Sequence, residues 1–275
     1  EEALKVAAEA DVIVAAMGEA SEHSGESSSR SVLTLPATQK RLMEALLATG
    51  KPVVMLNFSG RPTVMEWESK NVPAILNVWF GGSEAADAIT DVVFGDVNPS
   101  GKLTASMPYN EGQIPVYYNH FNTGRPKNPA NPAYQKFSSN YFEIPNKPLY
   151  PFGYGLSYTD FEYSDFKLDK DTLGKDGAIT ASVTVRNTGD RSGDEIVQFY
   201  IRDVAGSMAR PVKELKHFER ISLAPGESRT VNFRITPEAL KFYNYNLDFV
   251  AEPGEFRVMA GPDSERLSEL PFTLD

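Results

Sequence analysis

The sequence contains no cysteine, which excludes disulfides, thiolate metal sites and cysteine nucleophiles while leaving the compartment open. It is also poor in histidine: His23, His120 and His217 are the whole set, and no two stand at metal-ligand spacing. No metal and no cofactor are expected. An excess of basic residues is missing too, since 27 Lys and Arg face 37 Asp and Glu for a formal net charge of -10. Without a Lys/Arg cluster the chain has no electrostatic grip on polyphosphate, so nucleic acid is not an expected partner and uncharged ligands fit better. Long apolar runs are absent as well. The opening EEALKVAAEADVIVAAMGEA has an acidic leader, and reads as neither a signal peptide nor a membrane span. It reads as mid-domain sequence with earlier residues expected before it, and no membrane is expected as a partner.

The composition, 41% hydrophobic and 23% charged over 275 residues, is that of a globular protein long enough for two domains. The first third alternates apolar runs with helical patterns, as an α/β domain with a mostly parallel sheet does. DVIVAAM (Asp11 to Met17), PVVMLNF (Pro52 to Phe58) and AILNVW (Ala74 to Trp79) are the expected strands. Between them, Leu42, Met43, Leu46 and Leu47 recur at helical spacing over Ala37 to Thr49, with Pro36 near the first turn and Gly50 as a stop. EAADAITDVVF (Glu84 to Phe94) repeats the pattern and ends at Gly95.

Residues 1–108 are read as this α/β sandwich domain, in incomplete form. Residues 109–159, rich in Pro, Asn and Tyr and without periodicity, are read as an ordered aromatic wrap and linker. Residues 160–275 turn to short alternating strands, including AITASVTVR from Ala178 and RTVNFRI from Arg229. Turn signals at Asn187, Ala224 and Glu252 separate them, as in an all-β fibronectin type III-like (immunoglobulin-like) sandwich.

The segment most able to carry chemistry is GEASEHSGESSSRSVLTLP, Gly18 to Pro36, which follows the carboxyl end of the first strand. Ligands of open α/β sheets bind beyond those strand ends. The loop holds three carboxylates, Glu19, Glu22 and Glu26. Glu26 lies among small residues, Gly25 and Ser27 to Ser29, with Arg30 four residues on as a charge partner. A general acid needs a positioned carboxyl of this kind, although the same composition also suits a solvated Ser/Glu loop. SGR at Ser59 to Arg61 reads either as ligand contact or as a helix N-cap with Pro62 in the first turn. The glycine pair in WFGGSEA reads first as a tight βα turn. No serine elbow and no phosphate-binding fingerprint is complete.

Taken together, these residues resemble glycoside hydrolase family three, and within it the periplasmic β-glucosidase type. GEASEHSGESSSRSVLTLPATQ is similar to the acid/base loop of that type, in which a Glu precedes small residues, an Arg and an LP-x-x-Q helix start. TGKPVVMLNFSGRP, WFGGSEAADAITDVVFGDVNPSGKLTASMP, QIPVYYNHFNTGRP, LYPFGYGLSYTDFEY, RPVKELKHFERISLAPGES and EPGEFRVMAG are similar to family segments in family order. WFGGSEAAD departs slightly from the more glycine-rich form of its turn.

The resemblance implies the C-terminal portion of a retaining, exo-acting β-glucosidase acting on terminal non-reducing β-D-glucosyl residues, with β-xylosides behind them as substrates. The complete enzyme would add an N-terminal barrel carrying the nucleophilic Asp, and that missing barrel would be the principal partner besides a β-glucoside or oligosaccharide. The two carboxyl groups of such a pair stand about 5–5.5 Å apart. By motif match the acid/base is Glu26, with Glu22 and Glu19 behind it because the loop varies in length among relatives. Ser27 and Arg30 are the candidate substrate contacts. The resemblance also implies a periplasmic or secreted protein and leaves a homodimer open. The alternative to a hydrolase fragment is a noncatalytic carbohydrate-binding or interdomain structural module.

Overall fold

The computed structural model of the chain describes residues 1–128, 130–131 and 133–275. It forms two compact units, one of residues 1–97, 107–116 and 148–150, the other of residues 98–106, 117–147 and 151–275.

The first unit is built as β-strand and helix in alternation. Helix α1 (Glu2–Glu9) leads to β1 (Ile13–Gly18), α2 (Ala37–Leu47), β2 (Val53–Phe58), α3 (Glu66–Asn71), β3 (Ala74–Asn77) and α4 (Ala85–Phe94). The strands pair in parallel in the order β1-β2-β3, with Gly18 opposite Phe58 and Asn57 opposite Asn77. β2 is central and buried along most of its length, whereas β1 alternates, sending Ile13, Ala15 and Met17 inward and leaving Val14 and Ala16 exposed. That is the difference expected between a strand covered on both faces and one covered on a single face.

Helix α2 packs Met43 and Leu46 into the core. Pro36 sits just ahead of its first residue as N-cap, and Gly50 closes the segment at φ 74. Helix α4 has a pronounced apolar content and yet buries none of its residues.

Helix α3 starts four residues past Pro62, and its six residues are too few to show a period. It carries a buried carboxyl: Glu68 is 4% exposed. Burial raises its pKa above the ordinary Glu value, opposed by hydrogen bonding at its own backbone and by the charge of Lys40. A carboxyl whose folded pKa is raised stabilises the fold below its unfolded value, about 4.3, and loses that contribution as pH rises through the folded value. Glu68→Gln is therefore expected to raise the melting temperature near neutral pH and to change it little at about pH 4. Equal effects at both pH values in a thermal melt would rule this out.

The second unit is a β-sandwich. One sheet runs β5 (Thr172–Leu173), β13 (Ser268–Leu274), β12 (Gly254–Gly261), β7 (Gly193–Asp203) and β8 (Glu214–Leu223) in spatial order, and the other runs β4 (Phe161–Leu168), β6 (Ile179–Asn187) and β9 (Ser228–Ile235). A short helix, α5 (Pro237–Leu240), and a two-stranded ribbon, β10 (Phe242–Tyr243) with β11 (Phe249–Val250), complete it. The alternation read in β6 is realised residue by residue: Ile179, Ala181, Val183 and Val185 face inward, each at most 2% exposed. They meet Val197, Phe199 and Ile201 of β7, and Phe256 and Val258 of β12, in one core. Each fully buried Phe or Ile here contributes on the order of 2–3 kcal/mol of apolar transfer.

The aromatic segment 117–147 and the run after Pro151 join this unit. Tyr118 stacks on Phe152 at 4.3 Å and meets Tyr200 edge-on at 5.8 Å. A buried ion pair, Lys102 with Glu195 at 3.0 Å, also binds Tyr163, whose hydroxyl donates to Glu195 at 2.8 Å.

Candidate active site

The polar loop from Gly18 to Pro36 springs from the end of β1, and its two ends are tied together at the base. Gln39, in the first turn of α2, holds Gly18 by both backbone groups: the Gly18 N–H donates to Gln39 Oε1 at 2.9 Å, and Gln39 Nε2 donates to the Gly18 carbonyl at 2.8 Å. This gives a physical reason for the LP-x-x-Q pattern at the helix start. Further on, a bridge between Thr34 and Val64 and a hydrogen bond from the Leu33 N–H to Glu111 Oε1 at 2.7 Å fix the descending limb.

Gly18 is required at its position. Its φ is +136°, and a Cβ there would lie 1.9 Å from the Phe58 carbonyl oxygen. Gly18→Ala is expected to cost about 2–4 kcal/mol from backbone strain and overpacking. Urea unfolding checks this, and a loss below about 1 kcal/mol would show that β1 and β2 relax apart at no real cost.

The three candidate carboxylates occupy three different environments. Glu19 lies beneath the loop, 8% exposed. It receives Arg30 Nη1 at 2.6 Å, the Ser59 hydroxyl at 2.9 Å and Arg61 Nε at 3.2 Å. Burial would raise its pKa, but the hydrogen bonds from Arg30 and Ser59 and the charges of Arg61 and Arg30 outweigh it, so the pKa lies below the ordinary value. Glu19 is thus held ionised, and its contribution to stability is present at neutral pH and fades as pH falls through the folded value. Glu22 sits on a single 3-10 turn, Ser21–His23, exposed and accepting from the Ser21 hydroxyl at 3.3 Å.

Glu26 stands at the tip. The Ser28 N–H closes a turn onto the Gly25 carbonyl at 3.3 Å, which makes Glu26 and Ser27 its two central residues. Ser27 has φ +63°, as the third position of a type II turn demands. Glu26 is exposed, and among the described residues its carboxylate has no hydrogen-bond or ion-pair partner.

Two local expectations are corrected here. Arg30 is not a charge partner of Glu26: its guanidinium turns down to the buried Glu19 and to the Thr34 carbonyl at 3.3 Å, because the buried carboxylate needs a counter-charge and the exposed one does not. Ser59 to Arg61 does not cap a helix. The chain first pairs Val64 with Thr34, α3 starts only at Glu66, and the Ser59 hydroxyl is used on Glu19 and on the Arg61 carbonyl at 2.7 Å.

Arg61, read from the sequence only as part of SGR, a ligand contact or a helix cap, turns inward to the loop. Its Nε reaches Glu19, and its Nη2 donates to the carbonyls of His23 and of Ser28, the latter at 2.9 Å. Beside it, Gly60 lets the loop lie close, since a Cβ there would meet the Ser24 hydroxyl at 2.1 Å and the Phe80 ring at 2.7 Å. Among the described residues no group of three His, Asp or Glu is arranged to hold a metal ion, and no helix is long and apolar enough to cross a membrane.

Comparison with known proteins places the chain in a family. Residues 1–158 match the glycosyl hydrolase family 3 C-terminal domain, and residues 195–264 match the fibronectin type III-like domain. The chain is 52% identical over 274 residues to a periplasmic beta-glucosidase of Salmonella typhimurium, covering 100% of this chain and 36% of that protein. It is 42% identical over 265 residues to a beta-xylosidase of Formosa agariphila, covering 96% and 35%. The structure of a beta-glucosidase from Listeria innocua in complex with glucose superposes with a TM-score of 0.93 at 43% identity, covering 98% of this chain and 38% of that one. The chain therefore spans little more than a third of these relatives, and it belongs to glycoside hydrolase family 3, as the C-terminal domain of that family followed by a fibronectin type III-like domain.

Proposed function

We propose that this chain supplies the general acid/base of a retaining β-glucosidase, and that Glu26 is the residue. The observation that carries the reading is the contrast within one loop. Glu19 is buried, ionised and bound by three donors, which suits a structural anchor and leaves it no proton to give. Glu26 projects from a turn, and among the described residues its carboxylate has no hydrogen-bond or ion-pair partner, as suits a group that is to meet a glycosidic oxygen. Ser27 adjoins it on the same turn, while Arg30 serves the base of the loop.

In the complete enzyme, an Asp of the N-terminal barrel would attack the anomeric carbon while the protonated Glu26 gives its proton to the leaving oxygen. Glu26 would then take a proton from the water that releases the sugar. β-Glucosides are the proposed substrates and β-xylosides the next, in keeping with the names of the relatives. A periplasmic or secreted location is proposed on the same footing. The leaving-group dependence of kcat/KM in a Glu26→Gln variant of the full-length enzyme tests the assignment, and equal losses for good and poor leaving groups would refute it.

A further inference from the structure

We infer that Arg61 is a positioning residue for the acid/base: one guanidinium grips the loop on both sides of Glu26 and ties it to the buried Glu19. The inference rests on the reading of Glu26 given above.

The geometry is that of a clamp. Arg61 Nη2 donates to the carbonyl of His23, three residues before Glu26, and to that of Ser28, two residues after it. Its Nε is held by the Glu19 carboxylate, itself fixed by Ser59 and Arg30. Among the described residues it is the side chain from outside the loop that hydrogen-bonds to the backbone on both sides of Glu26. Arg30 reaches backbone only on the descending limb, at the Thr34 carbonyl, and Gln39 only at the base.

The clamp matters because the turn is not favourable on its own terms. Ser27 occupies positive φ, a conformation that costs a non-glycine residue about 1–3 kcal/mol and persists only where its surroundings impose it. Among the described residues the Glu26 carboxylate has no hydrogen-bond or ion-pair partner to hold it, so its placement is inherited from the backbone at either side. A planar fork of N–H donors can satisfy three acceptors at once, and a lysine ammonium lacks that geometry. A shift of about 1 Å in a catalytic group can cost about 10²-fold in rate, which is the scale on which losing the clamp should register.

The test uses the full-length enzyme and two aryl β-glucosides, phenyl with a poor leaving group and dinitrophenyl with a good one. Arg61→Ala is expected to lower kcat/KM for the phenyl glucoside by about 10²-fold and for the dinitrophenyl glucoside by less than about 5-fold, because the latter needs little protonation. In a Glu26→Gln background the same change should cost less than about 3-fold more, since the group it positions is already disabled. Arg61→Lys keeps a cation beside Glu19, and so protects the fold should Arg61→Ala not fold. It should show the same leaving-group dependence at smaller amplitude. Equal losses on both substrates from a folded Arg61 variant, or full additivity with Glu26→Gln, would overturn the positioning role. If Glu26→Gln itself shows no leaving-group dependence, the reading of Glu26 fails, and the role of Arg61 fails with it for that separate reason.

Discussion

Glu26→Gln in the full-length enzyme is expected to lower kcat/KM for phenyl β-glucoside by about 10²–10⁴-fold, the usual worth of a positioned proton donor. Loss on the dinitrophenyl glucoside should be far smaller, because its leaving group departs without a proton and glycosylation then depends on the nucleophile alone. Deglycosylation still needs a base, so kcat for the activated substrate should fall while its KM falls too, as the glycosyl intermediate accumulates. The fold should be untouched, since the side chain is exposed and bonded to nothing among the described residues. The same substitution at Glu19 should behave differently. It would leave Arg30 and Arg61 facing a neutral amide in a buried site, and the loss should appear in stability as well as in rate.

The second large effect is expected from the isolated 275-residue chain, which should give no detectable turnover of an aryl β-glucoside. A retaining mechanism needs two carboxyl groups on opposite roles, and the proposal places the nucleophilic one on the barrel of the complete enzyme. The first unit also has surfaces suited to being covered. Helix α4 buries none of its residues, and Phe80, Phe94 and Val97 around it are 59%, 77% and 48% exposed. Val14 on β1 and Val12 just before it are 46% and 52% exposed. Apolar groups in such number mark contact surfaces more often than free ones, so the isolated chain should also bind a hydrophobic dye more strongly than the full-length enzyme does. Steady-state assay of the purified chain decides the matter: turnover that disappears with Glu26→Gln would mean that the nucleophile lies within these residues.

Much of the fold was legible because its strands carry strong patterns. DVIVAAM and PVVMLNF became β1 and β2, and the alternation from Ala178 became β6, each within a residue or two. Strands that are only two residues long, or whose alternation is broken, carry no such pattern. β8 mixes charged and apolar residues on a half-exposed face, and β13 carries Pro271 in its middle, which demotes a strand in any pattern reading.

In the site, the loop and its three carboxylates stood out from composition, but their separate roles did not. Glu19, Arg30, Ser59 and Arg61 converge from positions as far as 42 residues apart. An ion-pair network of that kind has no periodicity, and the sequence offers Arg30 only its neighbour Glu26 as a charge partner, not the tertiary one. The LP-x-x-Q pattern was visible as a family mark, while its cause, Gln39 bracing both backbone groups of Gly18, needed the fold. SGR at a strand end marks Arg61 as a candidate ligand contact, but its reach back to Glu19 and to the His23 and Ser28 carbonyls needs the fold.

Chemical rescue tests the central claim most directly. Glu26→Ala in the full-length enzyme, assayed on a dinitrophenyl β-glucoside with and without azide, should regain turnover as azide rises and yield the β-glycosyl azide, because the small anion attacks the glycosyl intermediate without needing a base. Turnover that is unimpaired in the variant before azide is added, or an α-glycosyl azide as product, would contradict the assignment of Glu26 as the acid/base of a retaining mechanism.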